Sequence, residues 1–274
     1  MRYLVVFSCS IVAAAAMTGS TLASIAVQSQ DGKIYSVATT GGSAGLATEI
    51  GSFTDVGPST ATKVSPNSLA NYQGSFFRSD FAPTSGVNTL YKGNSAFLTP
   101  LDGSASNNEF AAGGMLGSEY HYIDAASNLR KVDVTAGVPT STLVADLGTL
   151  GDFGDLAFGN GVLYVSHGTG VNQKLSVFDT LGNLLTSYDK DRYAGLAFDH
   201  GILYGVTGGA SLLYEIVLGG ADTFIAAVAT AGGTAIFGTD AASAVPEVSS
   251  LLVWGSLLIP VGLSAGRRYR RRLA

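Results

Sequence analysis

The sequence predicts an all-β protein, and three observations support this. Glycine occurs 36 times and only 13% of the 274 residues are charged, a composition typical of strands joined by tight turns. The segment 153–167 recurs forty positions later as 193–207, with most of its apolar residues kept. Each copy holds four short apolar runs in about forty residues, the length and strand count of one β-propeller blade. We therefore predict a β-propeller-like ring, with a β-sandwich or an open β-solenoid as the structural alternative.

The first of these copies opens with a hairpin. Its strands 156–158 and 162–165 flank Gly159-Asn160-Gly161, where a positive φ costs little. The third and fourth strands of the two copies are expected at 174–179, 184–188, 212–218 and 223–228. Aromatic residues recur with the repeat, as Tyr164 with Tyr204 and Phe158 with Phe198, and are expected to form the core between blades.

Weaker copies occur at the same spacing, so about five four-stranded blades are expected to open near residues 74, 114, 154, 194 and 234. The last opening strand, 233–240, has no following strands of its own. The N-terminal segments 31–37, as second strand, and 47–53 are expected to supply them. One blade is then assembled from both ends of the chain, which closes the ring and removes exposed sheet edges.

The N-terminus has the pattern of a secretory signal peptide. Met1-Arg2 precedes an apolar run over 3–17, and small residues follow it. We predict a signal helix over 1–23 with cleavage between Ala23 and Ser24. The alternative, a membrane-spanning anchor, is disfavoured because the run is short for a hydrocarbon core of about 30 Å. The only cysteine, Cys9, lies in this segment, so the exported body is expected to hold its fold without disulfides.

The C-terminus combines a short motif, an apolar stretch and a basic end. Val245, Pro246 and Glu247 precede the apolar stretch 248–266, which as a helix spans roughly 28 Å and is long enough to cross a bilayer. The basic end consists of Arg267, Arg268, Arg270, Arg271 and Arg272. Arginines of this kind stay in the cytoplasm, so the preceding chain is expected outside it. The expected domains are the signal peptide 1–23, the exported body 24–243 and the tail 244–274.

This tail resembles the PEP-CTERM sorting signal of bacterial exported proteins, in which the same three parts occur in the same order. The resemblance covers residues 244–274, and it departs from the usual motif at Val248, where a second proline is common. It implies recognition by an exosortase-type membrane enzyme, removal of the helix, and delivery to the cell surface or an exopolysaccharide matrix. The alternative is a permanent single-pass anchor.

The charge of the body limits its partners. Residues 24–245 contain nine Lys and Arg and nineteen Asp and Glu, a formal charge of −10. An acidic protein repels phosphate backbones, so nucleic-acid binding is not expected. Cations, sugars and basic proteins are easier to accommodate.

No catalytic or metal-binding constellation is evident. His121, His167 and His200 fall at different positions of the repeat, and no cysteine accompanies them in the body, so no metal site is predicted. Ser166-His167 is interpreted as a surface serine beside a loop histidine. The carboxylates near the repeat openings are interpreted as solvated turn residues: Asp152, Asp155, Asp189, Asp191 and Asp199. No cofactor is expected. Calcium is the one ion that such oxygen-rich loops could hold.

Two further features have alternative interpretations. The glycine clusters Gly41-Gly42, Gly113-Gly114 and Gly208-Gly209 are interpreted as turns between strands, because no helix follows them. Four aromatic residues at expected loop mouths could form a sugar-stacking surface: Tyr72, Phe76, Phe77 and Tyr193.

Together these features predict an exported, non-enzymatic binding or structural module at the cell surface or in an extracellular matrix. Its expected partners are the processing enzyme, exopolysaccharide or surface proteins, and the membrane until the tail helix is removed. The alternative is a propeller-based hydrolase or lyase acting on extracellular polysaccharide. Two of Asp152, Asp155, Asp191 and Asp199 side by side in one pocket would favour that enzyme.

Overall fold

The computed structural model describes residues 23–29, 31–53, 66–80, 89–93, 96–100, 112–209 and 211–243. The predicted signal helix, apart from its last residue, and the whole predicted tail with its transmembrane helix lie outside these residues. Within the described ranges no helix is long and apolar enough to span a bilayer.

The described chain consists of short strands and two 3-10 turns, at Gly41–Ser43 and Gly170–Asn172. In chain order the strands are β1 (Ser24–Ser29), β2 (Lys33–Ala38), β3 (Leu46–Ser52), β4 (Pro66–Tyr72), β5 (Ser75–Asp80), β6 (Thr89–Lys92), β7 (Ala96–Pro100), β8 (Gly113–Leu116), β9 (Glu119–Ile123), β10 (Asn128–Asp133), β11 (Ser141–Asp146), β12 (Phe153–Gly159), β13 (Val162–His167), β14 (Lys174–Asp179), β15 (Leu184–Asp189), β16 (Gly195–Asp199), β17 (Ile202–Val206), β18 (Leu212–Glu215), β19 (Thr223–Ala227), β20 (Ala229–Thr230) and β21 (Gly238–Ala242).

These strands form five antiparallel sheets, one per blade. Blade 1 has the order β21-β1-β2-β3, with the short β20 added in parallel at the outer edge. Blades 2 to 5 are β4 to β7, β8 to β11, β12 to β15 and β16 to β19. The first strand of each sheet contacts the first strand of the next, in the circular order β4, β8, β12, β16, β21 and back to β4. The prediction of an all-β propeller with five blades is therefore confirmed.

The tight hairpins follow from backbone conformation. Asn160 and Gly161 have φ values of 51° and 76°, and His200 and Gly201 have 48° and 86°. Two successive positive φ values define the type I′ turn, whose twist matches that of the strands it joins. The same turn connects the first two strands of blades 4 and 5, which is why their sequences match so closely.

The aromatic repeat forms the packing between blades 4 and 5, as predicted. The Tyr164 ring stacks on the Phe198 ring with 6.0 Å between centroids and 10° between planes. Tyr164 belongs to a core cluster with Leu196 and Leu203, and the half-buried Phe198 packs against this cluster. Burying such large side chains between sheets is the main source of stability expected for a body without disulfides.

Blade 1 closes the ring with strands from both ends of the chain, as predicted, but its strand assignment needs correction. β21 pairs with β1, with Val27 opposite Ala241 and Ala26 opposite Ala242. β1 is absent from the sequence prediction, and the predicted second strand is in fact third in the sheet. The inner strand occupies Gly238–Ala242, so only its beginning overlaps the predicted 233–240.

Blade 2 also opens elsewhere than predicted. Gln73 and Gly74, with φ values of 50° and 77°, form the hairpin turn between β4 and β5, so the expected opening near 74 is the turn after the inner strand. The Gly113-Gly114 pair is likewise not a turn but the start of inner strand β8. A Cβ on Gly113 would lie 2.5 Å from the Tyr120 hydroxyl and 2.6 Å from Ser68 Cβ, so close packing near the axis requires glycine here.

Candidate functional site

Two carboxyl groups meet at the centre of the ring. Asp155 lies on β12 and Asp240 on β21, which are not neighbours in the ring, and both residues are 0% exposed. The two aspartate side chains fit at the axis because the adjacent inner strands have glycine there. A Cβ on Gly195 would lie 2.5 Å from the Ala241 nitrogen, and Gly113 is equally crowded. Small residues on β8 and β16 therefore leave room for the two larger side chains.

Backbone N–H groups of all the surrounding inner strands point at the pair. Leu196 donates to Asp155 Oδ2 at 2.6 Å and Gly113 donates to Oδ1 at 3.4 Å. Ala241 donates to Asp240 Oδ1 at 2.8 Å, and Leu69 donates to Oδ2. All four carboxyl oxygens thus accept a backbone hydrogen bond. The pair binds the five inner strands to one another at the axis.

The two carboxyl groups share one buried site, and each of them affects the pKa of the other. Burial raises the pKa of Asp155 well above its ordinary value, and the neighbouring charge of Asp240 raises it further. Burial likewise raises the pKa of Asp240, to about 7, although hydrogen bonds from Asp155 and the backbone act in the opposite direction. Near neutral pH the pair therefore holds a proton that isolated aspartates would have lost.

A proton-sharing carboxyl pair is an arrangement found in acid–base catalysis, but here both residues are fully buried. The cavity along the axis beside the pair has a volume of about 60 Å³ and is lined by inner-strand residues such as Leu156, Leu196 and Ala241. That space holds a few water molecules and no sugar ring. The N–H donors around the carboxyls favour negative charge and disfavour a cation. Among the described residues no group of three or more His, Cys, Asp or Glu side chains could hold a metal.

The other predicted carboxylates do not join the pair. Asp152 binds Arg192 at the start of β12, and Asp189 is exposed 3.5 Å from Lys174 Nζ. Asp191 is exposed in the connection to blade 5. The interpretation as solvated turn residues is correct for these three and wrong for Asp155 and Asp199. Asp199 is buried and its Oδ1 lies 2.8 Å from His200 Nδ1.

His167 is a buried, hydrogen-bonded residue between blades 3 and 4, not a loop histidine. Its Nδ1 lies 2.7 Å from the Leu150 carbonyl oxygen, which fixes the proton on that nitrogen. Nε2 then accepts from the Ser176 hydroxyl at 2.8 Å, and Ser176 Oγ lies 2.6 Å from Ser187 Oγ. Burial lowers the pKa of His167, so the ring is neutral.

Ser166 and the remaining histidines have structural surroundings of their own. Ser166 is buried, contrary to the sequence interpretation, and its hydroxyl accepts the Tyr193 N–H at 2.8 Å. His121 is buried against the Phe158 ring, with 4.8 Å between ring centroids, and burial lowers its pKa. His200 occupies the exposed turn after β16. The three histidines do not converge.

The predicted sugar-stacking surface is not formed. Phe77 and Tyr193 are buried, while Tyr72 and Phe76 are half-buried in blade 2. The Tyr193 ring packs where Gly205 leaves space, and its hydroxyl donates to Asp222 Oδ2 at 2.7 Å. Tyr193 therefore fixes the connection between blades 4 and 5 rather than facing solvent.

An open groove on blade 1 is larger than the axial cavity. It has a volume of about 780 Å³ and lies between β2, β3 and the segment 230–237. Its lining includes charged, hydroxyl and aromatic residues, among them Asp31, Lys33, Tyr35, Glu49 and Phe237. Nothing in the repeat pattern predicts this groove, because 230–237 is an insertion between β19 and β21 without a counterpart in the other described blades.

Of the residues predicted for export, two are described. Ser24 is the first residue of β1, and the Ala23 carbonyl oxygen accepts hydrogen bonds from Thr39 N–H at 2.9 Å and Thr39 Oγ1 at 3.0 Å. The residues of the predicted sorting signal lie outside the described ranges: Val245, Pro246, Glu247, Arg267, Arg268, Arg270, Arg271 and Arg272.

No protein-family model and no curated protein matches this chain. Several solved structures are similar. Glutaminyl cyclase from Myxococcus xanthus is 18% identical over 65% of this chain and 69% of its own, with a TM-score of 0.41. A chain of the nidogen/laminin complex is 16% identical over 76% of this chain and 80% of its own, with a TM-score of 0.49. The computationally designed Ika4 protein is 13% identical over 64% of this chain and 98% of its own, with a TM-score of 0.41. Similarity below a TM-score of 0.5 carries no argument about function.

Proposed function

We propose that this protein is an exported, non-enzymatic binding or structural module of the cell surface or extracellular matrix. The observation that carries the proposal is the burial of the carboxyl pair at the axis. The Asp155–Asp240 pair is fully buried, every carboxyl oxygen accepts a backbone N–H, and the adjoining cavity of about 60 Å³ is too small for a substrate. The described body is acidic and has an open groove on blade 1. A groove of this kind suits the binding of a ligand.

Export is proposed from the sequence of the two ends. The signal peptide would be cleaved before Ser24, and the PEP-CTERM-like tail would be recognised by an exosortase-type enzyme. The last strand, β21, ends at Ala242, three residues before Val245. Removing the chain from Val245 onward would therefore cost none of the hydrogen bonds described for the body.

The enzymatic alternative would use the same carboxyl pair. Most glycoside hydrolases use one protonated and one ionised carboxyl beside the substrate, and the raised pKa values of Asp155 and Asp240 are compatible with such a pair. The enzyme would also need a channel from the surface to the axis.

The enzymatic role and the binding role predict different results when polysaccharides are incubated with the protein and new reducing ends or unsaturated products are measured. Activity that disappears in Asp155→Asn while the variant stays folded would establish the enzyme and overturn the binding proposal.

Export is tested by following tryptophan. Trp254 is the only tryptophan and lies in the predicted tail helix, so processed protein should show tyrosine emission alone. We expect intact-mass analysis of the protein recovered from the cell surface or medium to give an N-terminus at Ser24 and a C-terminus before Val248. Cell-bound protein that keeps Trp254 and the terminal arginines would instead establish a permanent anchor.

A further inference from the structure

The groove on blade 1 combines features that point to one class of ligand. Its volume of about 780 Å³ lies within the range of small-molecule and oligosaccharide sites and is more than ten times that of the axial cavity. It is bounded by strand β3 on one side and by segment 230–237 on the other. Strand β20 covers only Leu46 and Ala47 of β3, so the groove extends along the part of β3 that follows.

The charges in the groove do not suit an anionic ligand. Lys33 Nζ donates to Glu49 Oε2 at 3.0 Å, so the one cation of the groove already has a carboxylate partner. Asp31 adds a second carboxylate, and the formal charge of the three residues is −1. A phosphate or an acidic sugar would be repelled, whereas a neutral ligand can use the same groups as hydrogen-bond donors and acceptors.

The groove also has an aromatic rim and a polar floor. Phe237 is 54% exposed although it is a large apolar side chain, and it lines the groove. Tyr35 is 6% exposed and lies within range of the charges of Lys33, Asp31 and Glu49. Within the described ranges no hydrogen bond to the Tyr35 hydroxyl is formed, and this oxygen is not among the fully buried atoms that lack a partner, so the hydroxyl is available at the groove.

We propose that this groove binds a neutral oligosaccharide or a segment of a neutral polysaccharide, with Phe237 stacking on a sugar ring and Tyr35 bonding a sugar hydroxyl. Sugar rings present apolar faces that stack on aromatic rings and a periphery of hydroxyls that need paired donors and acceptors. The threonines of the lining, Thr48, Thr230 and Thr234, add hydroxyls at the edge. This inference rests on the proposed function and names the ligand class of its binding surface.

The test uses the processed protein in affinity electrophoresis, with dextran, galactomannan or xylan in the gel and alginate as a charged comparison. We expect the native protein to be retarded by at least one neutral polymer and not by alginate. Phe237→Ala should weaken binding about tenfold, and Tyr35→Phe roughly threefold to tenfold, in calorimetric titrations with oligosaccharides of that polymer.

Phe224→Ala is the matched control, because Phe224 is 55% exposed, almost the same as Phe237, but lies on β19 in blade 5. It should bind like the native protein. Retardation that is equal in the native protein, Phe237→Ala and Tyr35→Phe would overturn the groove as the site while leaving the proposed function intact. If no neutral polymer retards the protein but an immobilised surface protein captures it, the groove is again overturned as a carbohydrate site and the proposed function is left intact. Retardation by alginate alone would overturn the neutral-ligand class.

Discussion

Asp155 and Asp240 connect parts of the ring that are not otherwise adjacent. β12 contacts β8 and β16, whereas β21 contacts β16 and β4. Because the two carboxyls also accept N–H groups from Leu196 and Leu69, their hydrogen bonds reach four of the five inner strands, and Gly113 adds the fifth. A buried charged group held by this many donors stabilises the geometry of its surroundings, but it is costly to break.

Replacing one member of the pair should therefore destabilise the protein strongly. Asp155→Ala leaves the Leu196 N–H without its acceptor and Asp240 without its partner, so we expect a loss of about 3 kcal/mol in the free energy of unfolding. The measurement is urea denaturation followed by circular dichroism. Asp152→Ala is the control: it removes a carboxylate three residues earlier, whose surface ion pair with Arg192 should contribute less than about 1 kcal/mol. Equal losses in both variants would contradict the structural role of the pair.

His167 should make stability depend on pH. Burial lowers its pKa in the folded protein below the ordinary value of about 6.5, so its stabilising contribution is complete above that pH and is lost as the pH falls. Between pH 7 and pH 5 the loss should reach at most about 1.4 kcal/mol per pH unit. The raised pKa values of Asp155 and Asp240 act in the opposite direction, because such groups favour the folded state as the pH falls. We therefore expect the stability of the native protein, measured relative to His167→Asn, to fall over this range. Both proteins contain Asp155, Asp240 and His121, so the contributions of those groups cancel in the comparison.

His200→Asn is the control for this pH series. The His200 side chain is 76% exposed, and asparagine tolerates the positive φ of this turn. Its stability should depend on pH more nearly as that of the native protein does than the stability of His167→Asn. A pH dependence that is equal in His167→Asn and His200→Asn would contradict the assignment of a buried neutral His167.

The pairing of Asp155 with Asp240 could not be predicted from the sequence. Their surroundings repeat at unequal intervals: Asp155 to Gly195 is 40 residues, whereas Gly195 to Asp240 is 45 because of the insertion at 230–237. A fixed spacing of forty therefore aligns Gly195 with Ala235 and places Asp240 at the end of the predicted strand 233–240, five residues after the position that corresponds to Asp155. Carboxylates beside glycine also occur in ordinary turns, so their burial depends on ring closure, which no local pattern encodes.

At the scale of single elements, the strands with alternating or repeated patterns were predictable and those buried by closure were not. β13 to β15 match their predicted positions closely, because both flanking turns have a strong signal. β1 has the sequence Ser-Ile-Ala-Val-Gln-Ser, is buried along nearly its whole length, and so lacks alternation. β4 begins with Pro-Asn-Ser, residues typical of turns, although it is an inner strand. In both cases tertiary packing overrides the local preference.

The closing strand β21 should be indispensable, whereas the residues after it should not be. A chain that ends at Phe237 loses the inner strand of blade 1 and Asp240, so β1 and two neighbouring inner strands lose their partner. We expect this chain to lose cooperative unfolding and to be digested rapidly by protease. A chain that ends at Ser243 keeps every described strand and should unfold like the processed protein. Cooperative unfolding of the shorter chain would contradict closure by β21.

At the scale of the whole molecule, the ring holds itself closed by noncovalent pairing between the two ends of one chain. The formal charge of −10 on the body favours solubility and adds some repulsion, which the interblade cores and the axial hydrogen bonds must exceed. Since Ala26 lies opposite Ala242, the first and last described residues emerge at the same side of blade 1. The order of blades along the chain should then matter less than the completeness of the ring.

A circular permutant tests this directly. The register that places Ala26 opposite Ala242 places Ile25 opposite Ser243. Joining Ser243 to Ile25 through a two-residue Asn-Gly turn, with Ser24 omitted, would give blade 1 the same first hairpin as blades 4 and 5, since type I′ turns favour that dipeptide. The new ends would lie between Gly148 and Thr149, which are exposed in the connection from blade 3 to blade 4. We expect the permutant to fold with the same far-ultraviolet spectrum and to be at least as stable as the processed protein, because the closing pair becomes a covalent hairpin with a smaller entropic cost. A permutant that folds only when the original ends are restored would show that chain order, and not ring closure, determines the fold.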